Sequence, residues 1–475
     1  MWVPNSVSMI MALYHRVEQI LAALRPVFRR QATFEWFVLL LWGVLLASQP
    51  PAITSYLNAI GLSEAYYHQA LHWFHSSAWK VSELCQCWGK WLAEHHFVRR
   101  LNGQLVYVGD GIKVGKEGNK MPGVKRLHQE SADVSKAEWI RGHYFGALGL
   151  LLGAGAALFA VPIGVQLQDG IQDEESAQLT LVDKMSALCV QLMPAGSYAV
   201  LDAYFAAANL LSRFREHNLH LISRVRRTTV GYAPFCPLPD QRGRGRPRKW
   251  GNSVKLSDLF TQVESFCWQP IQLYGQSVNV RYWSLQLHWD KPDTLVQFVL
   301  TQLPCGKQII LISSDLTLSA QAVIEAYGWR FKIEVCFRTL IHLLGGFSYR
   351  FWLKLMPSAP RWPKGLTLAD YPVAFRQQVV RKVEAFERFV NLHAIALGIL
   401  QILSLELADS IWQGFPRWFR TLPQHGYPTE QIVRLTLQHH APRILAGSRP
   451  VLLLPKFLAG KAPLSDPSWT AWLTG

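Results

Sequence analysis

Apolar residues recur at helical spacing over residues 7–101, where Ile20, Leu21, Leu24, Val27 and Phe28 alternate with Arg25, Arg29 and Arg30 and Pro50-Pro51 breaks the run. This pattern predicts a helical N-terminal domain over residues 1–101. Within it, residues 36–47 are apolar but too short to cross a bilayer, so they read as a core helix. The pattern then becomes β-rich. Residues 104–108 form a short apolar run ending on Gly109-Asp110-Gly111, followed by Lys113, Lys116, Lys120, Lys125 and Arg126 among glycines. A strand is therefore expected to deliver an acid to a basic loop. Residues 197–201 repeat the motif, ending on Asp202, with a helix predicted over 204–217 and a strand over 219–225.

Residues 144–168 carry no charge and are long enough to span a membrane, yet they contain six glycines and prolines. That spacing predicts two buried strands turning at Gly153-Ala154-Gly155, because strands covered on both faces also read as unbroken apolar runs. From about 226 to 307 the character changes to a β-rich insertion. A strand follows at 308–313, and one long amphipathic helix at 319–344. Residues 347–475 read as mainly helical with basic loops, a region suited to dimerisation or DNA contact. Residues 102–346, with the insertion at about 226–307, then form the core, for which a mixed sheet is expected.

Composition narrows the partners. Half of the 475 residues are hydrophobic and 17% are charged, which excludes a disordered chain, and the formal charge of +16 points to a polyanion. Nucleic acid and an anionic membrane face are the candidates, with nucleic acid preferred. Seven scattered cysteines show no zinc-ligand spacing and read as reduced thiols. No secretory leader is evident, so a cytoplasmic, nucleoid-associated location without a membrane partner is the expectation.

Two acids at the ends of apolar strands and a third on a later helix suit two-metal phosphoryl transfer. Carboxylate oxygens match hard Mg²⁺ or Mn²⁺, and two such ions can stabilise the attacking and leaving oxygens of an in-line displacement. Asp110, Asp202 and Glu334 are the candidate catalytic and metal-holding residues. Taken singly, an Asp after an apolar strand is more often a turn residue or helix cap, and Asp202 could cap the helix at Tyr204. Strand, hairpin, strand and helix in this order nonetheless place Asp110 and Asp202 on adjacent strands, as an α/β, RNase H-like mixed sheet requires. Glu130 and Asp133 are rivals to Asp110.

Tyr327-Gly-Trp-Arg330-Phe-Lys-Ile-Glu334 resembles the signature of bacterial insertion-sequence DDE transposases of the Tyr-Arg-Glu-Lys group. The spacings from Tyr to Arg and from Arg to Glu match, and the resemblance extends over residues 104–346. Two departures stand out: the signature Lys falls on Ile341, and Gly109-Asp110-Gly111 replaces the usual Asp-Asp-Thr. The resemblance implies metal-dependent cleavage at transposon ends and strand transfer into target DNA, by a homodimer that pairs two ends of double-stranded DNA. It also implies phosphate contacts by Tyr327 and Arg330. Arg330 lies one helical turn before Glu334, so a plain helix salt bridge between them is the alternative reading. Arg338, one turn beyond Glu334, is the expected substitute for the missing Lys. Trp329 and Phe331 are expected in the core.

Arg242, Arg244, Arg246, Arg248 and Lys249 lie in a run that resembles an AT-hook, whose slim Gly-Pro backbone carries Arg side chains into a narrow minor groove. A solvated basic loop making unspecific phosphate contacts is the equal alternative. Lys113 and Lys116 complete the expected DNA contacts. A catalytically inert DNA-binding derivative and a nuclease that cuts without rejoining are the competing functions.

Overall fold

The computed structural model describes residues 5–129, 137–154, 157–173, 178–235, 250–273, 275–290, 294–416, 426–447 and 452–461. Five helices come first: α1 (Asn5–Ala23), α2 (Gln31–Leu46), α3 (Ile53–Ala59), α4 (Tyr67–His75) and α5 (Val81–Ala93). The stretch read as a core helix is α2, buried from Trp36 to Leu46.

Apart from a short parallel pair, Ile171–Gln172 with Leu366–Thr367, the strands build one mixed sheet. They are β1 (Gln104–Gly115), β2 (Lys125–His128), β3 (Trp139–Ala154), β4 (Ala157–Leu167), β5 (Tyr198–Leu201), β6 (His220–Val225), β7 (Val230–Tyr232), β8 (Ser253–Lys255), β9 (Cys267–Leu273), β10 (Gln276–His288), β11 (Leu295–Gln302) and β12 (Gln308–Ser313). Their order is β8-β7-β10-β11-β12-β6-β5-β1-β3-β2, with β4 on β3, β9 on β10 and the short strand Arg100–Leu101 on β1. This large mixed sheet is consistent with the RNase H-like expectation. The β1–β5 and β5–β6 pairs are parallel and the other pairs of the sheet antiparallel. The strands of the β-rich insertion extend the same sheet through the β11–β12 pair. Helices α6 (Leu181–Leu192) and α7 (Ala208–Glu216) flank β5.

Residues 144–168 do form a hairpin, β3 with β4, but Ala154 pairs with Ala157, so Gly153 and Ala154 belong to the strand and not to the turn. The strand carrying Asp110 also corrects the sequence reading. It does not stop at the glycines but runs on to Gly115, with Gly111 paired to Gly146 and Lys113 to Tyr144. Gly usually weakens a strand, yet here a side chain would not fit. A Cβ on Gly111 would lie 1.8 Å from the Tyr144 hydroxyl, and one on Gly109 2.7 Å from a Leu201 methyl.

The predicted helix over 204–217 splits into a 3-10 turn, Ala203–Phe205, and α7. The helix expected over 319–344 is two, α8 (Ala320–Trp329) and α9 (Phe331–His342), meeting at Arg330. There the backbone tightens to three-residue hydrogen bonds, Arg330 N–H to Tyr327 O and Ile333 N–H to Arg330 O. Helix α8 packs on β6 and β12, and α9 crosses β1 and β4.

The C-terminal region holds α10 (Val373–Glu406), α11 (Ala408–Gly414), α12 (Glu430–Gly447) and α13 (Leu453–Ala459). Among the described residues one helix, α10, is long and apolar enough to cross a membrane, but 94% of its apolar window is buried within the protein. It closes the free edge of β4, a position that would otherwise expose unpaired backbone groups. The Asn391 amide accepts from Val165 N–H at 2.9 Å and donates to Val165 O at 2.7 Å, and Glu387 accepts from Leu167 N–H. Helices α2, α4, α5 and α12 pack on α10 in turn, so one continuous core joins both helical regions to the sheet.

Candidate active site

Parallel register brings the first two acids together. Val108 faces Val200 and Gly109 faces Leu201, so Asp110 and Asp202 stand abreast at the next position of neighbouring strands. Asp202 precedes a 3-10 turn but makes no side-chain cap bond, so the capping role open from sequence is not one it plays. The break between α8 and α9 sets Arg330 over both acids and leaves Glu334 one turn further on.

The Arg330 guanidinium joins all three carboxylates: it donates to Asp110 Oδ2 at 3.0 Å and to Glu334 Oε1 at 2.5 Å, and its Nε lies 3.9 Å from Asp202 Oδ1. The plain helix salt bridge to Glu334 is therefore present, as one contact of three. Asp110 also accepts from the Gly111 N–H at 2.7 Å. Burial pushes the Asp110 carboxyl up to about 6, and Asp202 and Glu334 add to this; Arg330 and the Gly111 N–H oppose it. For Arg330, burial works against the charge, but Asp110, Asp202, Tyr327 and Glu334 together hold its pKa above the ordinary value. Burial likewise raises the Tyr327 phenol, which also hydrogen-bonds Arg330.

The remaining predicted residues separate. Arg338 and Ile341 are exposed on α9 beyond Glu334, and among the described residues Arg338 has no acid partner. Lys113 is exposed on β1. Lys116 is buried: its ammonium donates to Phe347 O and Tyr349 O and sits 3.5 Å from the Tyr349 ring centre, so it does not reach the DNA-facing surface expected of it. Burial brings its pKa down to about 7, with Arg350 contributing. Phe331, expected in the core, is 48% exposed, whereas Trp329 packs against the core under Arg99. Glu130, Asp133 and the run Arg242–Lys249 lie outside the described residues.

Sequence reasoning missed Tyr144, the residue that dictates Gly111 beside the acid. The signal was there in the paired glycines around Asp110, which mark a close approach. A second group with metal-ligand atoms, His95, His96 and Glu406, gathers within 4.8 Å. Both Glu406 oxygens already accept from Arg16 at 2.6 Å, and His95 Nδ1 accepts from the Phe97 N–H while its Nε2 donates to Glu406 at 2.8 Å. That group is a structural hub joining α1, α5 and α10.

The family described as DDE superfamily endonuclease matches residues 23–277, a stretch that includes Asp110 and Asp202 and ends before Glu334. Among solved structures, the chain is similar to a piggyBac transposase in a synaptic complex with hairpin DNA. Identity is 10%, the TM-score 0.32, and 97% of this chain and 86% of that chain are covered. A likeness that distant carries no argument about this chain. No curated protein matches it.

Proposed function

We propose that this chain, which belongs to the DDE superfamily endonuclease family, is a transposase that cuts transposon ends and joins them to target DNA. One observation carries the reading: Asp110 on β1 lies beside Asp202, just past the end of the parallel strand β5, and Glu334 completes the set through a shared guanidinium. The Arg330 guanidinium already sits among the three carboxylates, so the pocket is built to receive positive charge.

The donor set fits a hard divalent cation, since its oxygens are all carboxylate. Asp110, Asp202 and Glu334 would hold Mg²⁺ or Mn²⁺, two ions in this reading. When bound, the ions would activate water or a 3′-hydroxyl and stabilise the leaving oxygen. Strand β1, clamped between β3 and β5, gives Asp110 a rigid mount. Tyr327 and Arg330 lie beside the acids and would hold the phosphate next to the cut.

Membership of the bacterial insertion-sequence, Tyr-Arg-Glu-Lys group is part of this proposal and rests on Tyr327, Arg330 and Glu334. So do a double-stranded DNA substrate, a homodimer that pairs two ends, and residence at the nucleoid. The helical N-terminal region is assigned to DNA-end binding. With Arg381 of α10 it forms an open concavity of about 530 Å³ whose charged lining also includes Arg29, Arg30, His72 and Lys80, with Glu83 as its acid. Such a basic hollow suits backbone phosphates.

The test is metal-dependent cutting of DNA from the ends of the element, which imperfect inverted repeats flanking the gene would identify. Asp110→Ala, Asp202→Ala and Glu334→Gln should each abolish cutting and leave DNA binding largely intact. Normal cutting by Asp110→Ala would mean the first acid is misassigned. Strand transfer from a pre-cut end separates a transposase from a nuclease that only cuts, and a wild-type chain that binds but never cuts is an inert derivative.

A further inference from the structure

Away from the acids, residues 113–129 and 350–364 carry nine Lys and Arg against a single acid, Glu117; of the nine, Lys116 is buried and Lys125 pairs with Asp169. The second segment is a strap laced to the first. Leu353 N–H donates to Lys120 O, Ala359 N–H to Asn119 O and Arg126 N–H to Pro363 O, each at 2.8 Å, and the backbones of Lys125 and Lys364 pair as an isolated antiparallel β-bridge. Aromatic rings interleave with the charges. The Arg126 guanidinium lies 3.8 Å from the Trp139 ring centre and 5.2 Å from that of Trp362, and Arg361 also stacks on Trp362. Trp352 is 62% exposed, Trp362 42% and Leu355 67%. Among the described residues, no acid pairs with Arg350, Lys354, Arg361 or Lys364. Trp352 and Trp362 keep wide ring faces in solvent beside cations without acid partners, a combination that suits a partner with both negative charge and flat faces.

We propose that this strap and the adjoining ends of β2 and β3 form a platform for single-stranded DNA, whose unpaired bases stack on Trp352 and Trp362 while its phosphates meet Lys354, Arg361 and Arg350. Duplex DNA hides its base faces; a single strand offers one to each ring. The platform stands on the sheet that carries the acids. Arg126 is opposite Arg141, six residues along β3 from Ala147, the partner of Asp110. At about 3.3 Å per residue the separation is roughly 20 Å, about six nucleotides of stacked strand at ~3.4 Å each. The inference rests on the reading that the chain acts on DNA, and assigns this surface to the strand released or frayed beside the cut.

The test uses the full chain, a short labelled single strand and the matching duplex, with binding followed by fluorescence anisotropy over a range of salt. Trp352→Ala/Trp362→Ala should weaken single-strand binding about tenfold and duplex binding less than about twofold. Lys354→Ala/Arg361→Ala should lower the single-strand salt slope by about 0.7 for each lost contact. Thermal melting of both variants should match wild type, because the replaced side chains are exposed. If wild type binds DNA and both variants bind as it does, the platform is refuted and the reading of the chain as a DNA enzyme stands. If wild type binds neither probe, both readings fail together. Co-sedimentation of wild type with phosphatidylcholine–phosphatidylglycerol vesicles, lost in the Trp variant while DNA binding is unchanged, would overturn the platform in favour of a membrane-facing surface.

Discussion

Arg330→Ala removes the one cation shared by three carboxylates, and its cost can be worked from the contacts. The Arg330 side chain is 17% exposed and Asp110 23%, against 35% for Asp202 and 43% for Glu334. Solvent screens the last two, which together contribute no more than about 1 kcal/mol. The Asp110 pair counts for more. Breaking a buried pair by removing one partner costs roughly 3–5 kcal/mol, and partial exposure brings this pair to about 2–3 kcal/mol. The variant should therefore unfold about 2–4 kcal/mol more easily in EDTA. Adding Mg²⁺ or Mn²⁺ should reverse much of that loss, because the ion then meets three free carboxylates, whereas in wild type it must first displace the guanidinium. A ligand at a hundredfold excess over its dissociation constant stabilises by about 2.7 kcal/mol, so the differential response is measurable by chemical denaturation with and without the ion. Equal stability of the two proteins in EDTA, or an equal response to the ion, would refute the idea that guanidinium and metal compete for the same oxygens.

Three further outcomes are expected. Arg338→Ala should lower strand transfer from a pre-cut end more than tenfold, about 1.4 kcal/mol, with unchanged melting, because Glu334 pairs with Arg330 and leaves Arg338 on the surface; a loss under about twofold would exclude it as substitute for the signature Lys. Gly111→Ala drives a methyl into the Tyr144 ring and should cost about 1–3 kcal/mol, so Tyr144→Ala in the same chain should recover part of the loss, and strict additivity in a double-mutant cycle would show that the two residues do not touch. Burial pushes the Glu406 carboxyl up, but bonds from His95 and Arg16 bring it down from 4.5 to about 2. A depressed carboxyl stabilises the fold above its unfolded pKa and loses that contribution as pH falls from about 4.5 to about 2. Glu406→Gln should thus cost on the order of 3 kcal/mol at neutral pH and progressively less across that window; a pH-independent cost would be the refuting result.

Hydrophobic periodicity alone determined where most elements lie: the core helix, read at 36–47 and found over 31–46, the hairpin mistakable for a membrane span, and the strands ending at Leu201 and Ser313; the spacing of residue types from Tyr327 to Glu334 marked the motif. These are local properties, since the side-chain period of a strand or helix is written along the chain itself. What lay beyond the sequence was set by neighbours distant in it. Strand β1 runs through two glycines because Tyr144 and Leu201 fill the space a side chain would need. Lys116 reads as a surface cation until carbonyls from residues 347 and 349 fold over it. Arg330 reads as a partner of Glu334, one turn away, and only the parallel register of β1 with β5 and the break between α8 and α9 make it the hub of three acids. The same holds for the strap over residues 350–364, whose charges and rings become one surface only when hydrogen bonds lace it to residues 119–126. Propensity acts within a turn or a strand, whereas register, close approach and shared charge are relations between segments, and only the tertiary structure decides them.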